Sequence, residues 1–294
     1  MSYMNFVDMS IERIPQEDMM RHIEKCGRVC YKSEAKITPD SAKGFVEMLK
    51  NNEHGSVLEH GTVYLRIPYD SDISKEKSKH LQHLMTIDKY SRNHWSRVVI
   101  GGINDYYAYI TTNYRVIADN EWEDDLQYIC EPTRFHKKRV TFKFVHDIGI
   151  ARDSNRHRAH SISEESTRFI NYNKRGATFT ASPFTAETCE AFDHQRIPMV
   201  FENMWMGEHE DDITDLDVWM FSCATSTYCY NKLINLGWKP QMARRALNIG
   251  TKTETYYTAF VDDWYEYIRK REKAAHPDLI KLVDRMKVLL NDVE

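Results

Sequence analysis

The chain has 294 residues, of which 29% are charged and 41% hydrophobic, with a formal net charge of -4. That composition is ordinary for a soluble globular protein, and the length suffices for a substantial core in one or two domains. The negative net charge gives no general attraction to nucleic acid or acidic membranes, so any phosphate binding has to be local.

The N-terminus, M-S-Y-M-N-F-V-D-M, lacks a basic stretch followed by an apolar core, so no signal peptide is expected. No apolar run approaches the roughly 18 residues of a membrane span. Six cysteines are scattered at 26, 30, 130, 189, 223 and 229. In a chain this size they do not read as a disulfide framework, and a reducing cytoplasm is the simplest setting. Cys26 and Cys30 stand as C-x3-C with no second close pair, against the usual zinc spacing, and no metal is expected.

Residues 16 to 32 carry a helical pattern, with Met19, Met20, Ile23 and Cys26 or Val29 at three- and four-residue steps. Thr38-Pro39-Asp40 reads as a helix start, with a hydroxyl cap and a proline in the first turn. Phe45, Met48 and Leu49 then form the inward stripe of a helix ending near Asn51-Asn52. The next stretch, E-H-G-S-V-L-E-H over 53 to 60, reads by itself as a capped turn. From Thr62 to Ile67 the chain alternates, Val63, Leu65 and Ile67 against Thr62, Tyr64 and Arg66, which predicts a half-buried strand.

Residues 68 to about 138 are polar and charge-mixed, with an aromatic centre at Tyr106-Tyr107-Ala108-Tyr109-Ile110 and Tyr114 nearby. Such a segment is expected to decorate the surface or extend a subunit contact, with Thr112 to Arg115 in reach of an active site. A basic-aromatic patch for single-stranded nucleic acid is the other reading, and the interleaved acids oppose it. A strand is predicted from Val140, with Phe142 and Phe144 on its apolar side. Residues 147 to 158 then read as a helix that sets Arg152 and Arg156 on one face, with Arg158 about 200° round from Arg156.

The densest chemistry follows, R-D-S-N-R-H-R-A-H-S-I-S-E-E-S-T-R-F-I-N-Y from Arg152 to Tyr172. Four arginines, two histidines and five hydroxyl residues fall within seventeen positions, with Asp153, Glu164 and Glu165 among them. Guanidinium forks beside hydroxyls and acids suit a site that holds phosphates and a hydrogen-bonding ring together. Beyond it, 171 to 180 reads as a polar loop ending in a short strand, and 187 to 208 as a helix interrupted at Pro198. Leu216 to Leu236 reads as a long helix stopped by Gly237, with Trp219, Met220, Cys223, Tyr228 and Leu233 as core positions.

Arg156-His157-Arg158, seven residues, then Ser166 resembles the R-H-R-x7-S motif of the flavin-dependent thymidylate synthases, the ThyX family. The agreement extends to Ser161, Glu164 and Arg168. E-H-G-S-V-L-E-H is similar to the family's G-H-x-S/T-x-x-E-H, with Glu53 replacing the glycine, and C-G-R-V-C-Y to its A-R-x-S, with Cys30 where serine is usual. Q-M-A-R-R-A-L-N resembles A-R-x-x-L-P, with Asn248 in place of proline. W-Y-E-Y-I-R-K-R-E sets Arg271 at a substrate-contacting arginine and Glu266 where a flavin-side asparagine is common, with Arg269 and Lys270 read as a solvated face. Asp153 replaces a usually neutral residue by the substrate, where an acid repels phosphate unless an arginine neutralises it or it meets a ring N–H.

The resemblance implies an α+β fold, a central antiparallel sheet flanked by helices, as one catalytic domain over 1–294 with 68–138 inserted. It implies reductive methylation of dUMP to dTMP, with methylene-tetrahydrofolate as carbon donor and NADPH reducing FAD. Ser166, Thr167, Arg168 and Arg244 would hold phosphate and sugar, Arg271 would face the base, and Asp153 and Arg156 would lie by the substrate. Arg156, His157, Arg158, His54 and Ser56 would hold FAD, with Cys30, Glu164 and Glu266 also on the cofactor side, and Glu164 would order the loop at the substrate. Ser166 and Arg271 are the catalytic candidates. Ser166 is assigned to binding, because a serine nucleophile needs a base within hydrogen-bond reach. None of the six cysteines lies in the P-C-H-like context of the cysteine-based thymidylate synthases. The family's assembly, a homotetramer with shared sites, is expected here. Two alternatives stand beside it: a same-fold enzyme transferring a methyl or hydroxymethyl group to dCMP or UMP, and a nucleic-acid-binding protein.

Overall fold

The computed structural model describes residues 4–69, 77–102, 105–206, 213–273 and 275–291. Its first half runs β1 (Met4–Val7), β2 (Ser10–Ile14), α1 (Met19–Arg28), α2 (Ser41–Asn51), α3 (Gly55–Leu58), β3 (Thr62–Pro68), α4 (Lys77–Ser91), β4 (Arg97–Ile100), β5 (Tyr107–Asn113) and α5 (Tyr114–Asp119). The second runs β6 (Arg139–Asp147), α6 (Ile148–Ser154), β7 (Ser161–Glu164), α7 (Tyr172–Arg175), β8 (Ala177–Thr180), α8 (Ala186–Glu190) and α9 (Arg196–Met206). Then come α10 (Asp215–Asn235), α11 (Pro240–Ala243), β9 (Lys252–Phe260), α12 (Val261–Arg271) and α13 (Pro277–Asn291).

The central sheet is antiparallel throughout, in the order β2-β6-β9-β7. The α+β class and the helix-flanked antiparallel sheet expected from the sequence are therefore present. β9, which the sequence reading passed over, pairs with β6 from Arg139↔Phe260 to Asp147↔Lys252. Its threonines, tyrosines and phenylalanine favour a pleated strand. One face of this sheet carries Phe142, Phe144, Tyr257 and Ala259 into a core with Trp264 and Tyr267 of α12 and Leu279, Leu282 and Met286 of α13. On the other face His22 of α1 bonds Thr141 at 2.8 Å, Thr141 bonds Thr258 at 2.7 Å, and Thr258 bonds His60 at 2.7 Å. That file of neutral groups satisfies polar atoms buried between helix and sheet.

A second antiparallel sheet, β3-β5-β4, closes over Phe45, Val46 and Leu49 of α2 and Ile87 and Tyr90 of α4. Here the sequence expectations need correction. β3 is not half-buried, since Thr62 and Tyr64 are buried as well as Val63, Leu65 and Ile67. β5 comes from the segment expected on the surface, yet it is the middle strand, with Ala108 to Thr112 buried. A strand covered on both faces shows no alternation, so its aromatic run looked like decoration. Arg115, just after it, engages Glu59 at 2.6 Å.

Several helix bounds also shift. α6 stops at Ser154, not 158, so Arg152 and Arg156 share no helical face and Arg156 to Arg158 lie in the turn beyond. Asp147 caps its start by accepting from Ile150 N at 2.7 Å. α2 begins at Ser41, whose hydroxyl donates to Thr38 O at 3.1 Å in place of a Thr38 cap. Pro198 does not interrupt a helix. It sits in the first turn of α9, where no intrahelical N–H is needed, and the break lies before it, over 191 to 195. In α10, Met220 and Cys223 are buried as expected, but Tyr228 is 61% exposed and is not core. Gly237 ends that helix at φ 94°. Among the described residues no helix is long and apolar enough to cross a membrane.

Candidate active site

β7 delivers the chain into a turn at Ser166 to Phe169. Glu165 N donates to Glu254 O at 2.8 Å, and Ser166 N donates to Cys30 O at 3.3 Å, so the turn is held from β9 on one side and from the end of α1 on the other. Ser166 Oγ accepts from Arg168 N at 3.2 Å. Thr167 Oγ1 accepts from Arg244 Nη1 at 3.0 Å. Phe169 stacks on Tyr31 at 5.4 Å, and the Tyr31 hydroxyl bonds His54 Nδ1 at 3.1 Å. Cys30, His54, Ser166, Thr167, Arg168 and Arg244 thus border one patch, with Ser56 exposed on α3 just after His54.

A second group sits at the end of α12. Arg271 is buried, lies over the Tyr267 ring at 4.2 Å and donates Nη2 to Asp153 O at 3.1 Å. It meets Asp153 through the peptide carbonyl, not the carboxylate. His157 packs on His160 at 4.7 Å and on Tyr267 at 5.4 Å, while His160 lies on Trp264 at 4.1 Å. Burial lowers the pKa of both histidines, that of His160 well below the ordinary value, and keeps them neutral.

Glu164 joins the two groups. It accepts from Asn155 Nδ2 at 2.9 Å and from Thr253 Oγ1 at 3.5 Å, and Asn155 Oδ1 accepts from the Tyr257 hydroxyl at 2.8 Å. Burial raises the Glu164 carboxyl, against these donors. Sequence reasoning missed Asn155, Thr253 and Tyr257, since two of them lie on the unrecognised β9. Glu266 is not drawn in: it is exposed and faces Lys270 at 2.6 Å and Arg269 at 3.8 Å. Asn248 is structural, its amide donating to Ser222 Oγ at 3.2 Å and its backbone N–H to Ser226 Oγ at 3.0 Å.

Arg156, Arg158, Arg168 and Arg244 are exposed, and among the described residues none of them forms an ion pair. Arg271 Nε and His157 Nε2 are buried with no hydrogen-bond partner among the described residues. Planar cations and orphaned polar atoms of this kind fit the acceptor oxygens of a nucleotide and a dinucleotide cofactor. The Cys30 thiol, pushed up by burial, is a poor nucleophile there. An open cleft of about 910 Å³, lined by Met19, Thr62, Tyr64, Cys130, Arg134 and Arg139 among others, holds none of the candidate residues.

The model of one protein family, thymidylate synthase complementing protein, matches residues 131–293, more than half of the chain. Two solved structures are similar, both of the UMP/dUMP methylase PolB from Streptomyces cacaoi. The form bound with 5-Br UMP shares 13% identity, with 97% of this chain and 90% of that chain covered, at a TM-score of 0.39. The form bound with 5-Br dUMP shares 14%, with 97% and 91% covered, at the same TM-score of 0.39. No curated protein matches the chain. The R-H-R run, the Ser166 turn, Arg244 and Arg271 all lie within the matched residues, while Cys30, His54 and Ser56 precede them. The chain belongs to the thymidylate synthase complementing protein family, ThyX, and with it to the flavin-dependent methyltransferases of pyrimidine nucleotides.

Proposed function

We propose that the protein converts dUMP to dTMP. The observation that carries this reading is the meeting of Arg244 with Thr167 beside Arg168, two guanidiniums that form no ion pair among the described residues, at one hydroxyl-bearing turn. Arg168 and Arg244 hold the phosphate, with Ser166 and Thr167 completing the hydrogen bonds to phosphate and sugar. Arg271, buried at the end of α12, directs its guanidinium at the base carbonyl, where negative charge grows as carbon 5 reacts. Arg156, His157 and Arg158, with His54, Ser56 and Cys30, hold FAD, while Glu266 stays on the solvated face with Lys270 and Arg269. Glu164, held by Asn155, orders the loop between the two ligands.

Bound flavin, reduced by NADPH, supplies the hydride, and methylene-tetrahydrofolate supplies the carbon. The protein contributes binding, orientation and polarisation. Ser166 is a binding group: its hydroxyl is engaged by Arg168 N–H, and among the described residues no histidine or carboxylate bonds to it. The exposed arginines favour sites completed by a neighbouring subunit, as in a homotetramer, and the cytoplasm suits such an enzyme.

A second reading, action on UMP or dCMP, is favoured by Asp153, whose carboxylate Arg271 leaves unengaged. Purified protein should be yellow with flavin absorbance, and tritium should be released from carbon-5-labelled dUMP faster than from labelled UMP or dCMP. Faster release from either competitor replaces the first reading with the second. Colourless protein that releases none discards both.

A further inference from the structure

Behind the Ser166 turn lies a closed group of charges with no part in the reaction as read so far. Glu165, 6% exposed, accepts from Lys252 Nζ at 2.8 Å and faces Lys32 Nζ at 3.3 Å. Glu254 on β9 faces Lys32 at 2.7 Å, Lys143 of β6 at 2.9 Å and Lys252 at 2.5 Å. Burial alone would raise the Glu254 carboxyl, but Lys252, Lys32 and Lys143 hold it well below the usual carboxylate range. Burial likewise works against the charge on Lys32, and Glu165 and Glu254 outweigh it.

Two features tie this group to the turn. Glu165 is pinned twice, by its carboxylate to two lysines and by its backbone N–H to Glu254 O at 2.8 Å. Lys32 stands at φ 48°, a left-handed backbone uncommon for a residue with a side chain, one position after the Tyr31 that stacks on Phe169. Exposed ion pairs contribute little, but a buried one that loses a partner leaves a charge uncompensated. The residues that follow Glu165 are Ser166, Thr167 and Arg168.

We propose that Lys32, Glu165 and Lys252 form an ion-pair lock that positions the Ser166–Arg168 turn for the nucleotide, with Glu254 holding the two lysines in place and Lys143 pairing with Glu254. These are positioning residues and touch no substrate. The proposal rests on reading that turn as the nucleotide site.

The test uses the full-length, FAD-loaded enzyme and compares Glu165→Gln, Lys252→Met and Lys252→Arg with Arg168→Ala as control. Glu165→Gln and Lys252→Met are expected to raise both KM and Kd for dUMP roughly tenfold, within the range for a displaced binding group. Flavin content should hold, and kcat should fall much less than kcat/KM, as for a loss of uniform binding. Lys252→Arg should restore most of the affinity, and the double variant should be little worse than either single, as for coupled partners. If Lys252→Met fails to fold, Lys32→Met and the near-isosteric Glu165→Gln carry the same readout. Unchanged KM in the neutralised variants, with a raised KM in Arg168→Ala, overturns the lock and leaves the site reading standing. Unchanged dUMP binding in Arg168→Ala as well overturns both.

Discussion

Arg244 and Thr167 lie 77 positions apart and meet side chain to side chain, Nη1 donating to Oγ1 at 3.0 Å. The contact brings the segment after α11 onto the turn after β7, and with it a second guanidinium beside Arg168. Arg168→Ala or Arg244→Ala should weaken dUMP binding by roughly 1.5 to 3 kcal/mol, the range for a hydrogen bond to a charged group. Titration of the flavin spectrum with dUMP measures this, and an unchanged curve removes the residue from the phosphate site.

Ser166→Ala should keep measurable turnover, because the serine hydroxyl is engaged within its own turn by Arg168 N–H. Complete loss of tritium release, with flavin and nucleotide still bound, would restore the nucleophile role.

Asn155 stands between the Tyr257 hydroxyl and the Glu164 carboxylate, bonding both. Asn155→Ala leaves two buried polar groups short of a partner and should destabilise the fold by about 1 to 3 kcal/mol. The urea midpoint reads this directly, and equal midpoints for variant and parent would show that Asn155 holds neither group.

Burial lowers the pKa of His22 and of His146 from 6.5 to about 4, so both are neutral in the folded chain. Their stabilising share is complete above 6.5. As pH falls from 6.5 toward 4 the unfolded chain takes up protons that the folded chain refuses. Stability should drop by about 1.4 kcal/mol per pH unit for each histidine. Urea midpoints measured from pH 7 to pH 5 should show the slope, and His22→Gln should reduce it. A slope unaltered by that change would mean that His22 titrates normally in the folded protein.

Gly61 precedes β3, and a Cβ there would lie 2.5 Å from Ile23 Cδ1 and 2.8 Å from its Cγ1. Ile23 is fully buried and has little room to move aside. Gly61→Ala should therefore destabilise by about 1 to 3 kcal/mol through overpacking, seen as a lower Tm.

Elements whose two sides differ in residue polarity were the ones legible in the sequence. Val140, Phe142 and Phe144 announced β6, and Met19, Met20 and Ile23 announced α1, because one side of each element differs in polarity from the other. β5 and β9 escaped because both of their faces are covered, so no period of two remains to be read. The helix predicted through Arg158 stopped four residues early, since Asn155 and the turn after it satisfy the last carbonyls locally, with Asn155 N on Ala151 O at 2.9 Å. The arginine-rich run was legible as chemistry from its residue types. The partners that orient it were not, because Asn155–Tyr257 and Glu165–Lys252 are contacts across 102 and 87 positions, and a linear pattern carries no trace of them.

The middle position of β5 sets a limit on shortening this polypeptide. Excising residues 69 to 138 to obtain a smaller catalyst would strip β3 of its pairing from Thr62↔Asn113 to Pro68↔Tyr107 and open Val63, Leu65 and Ile67 to water. The truncated product would present a bare hydrophobic edge and would aggregate before it could be assayed.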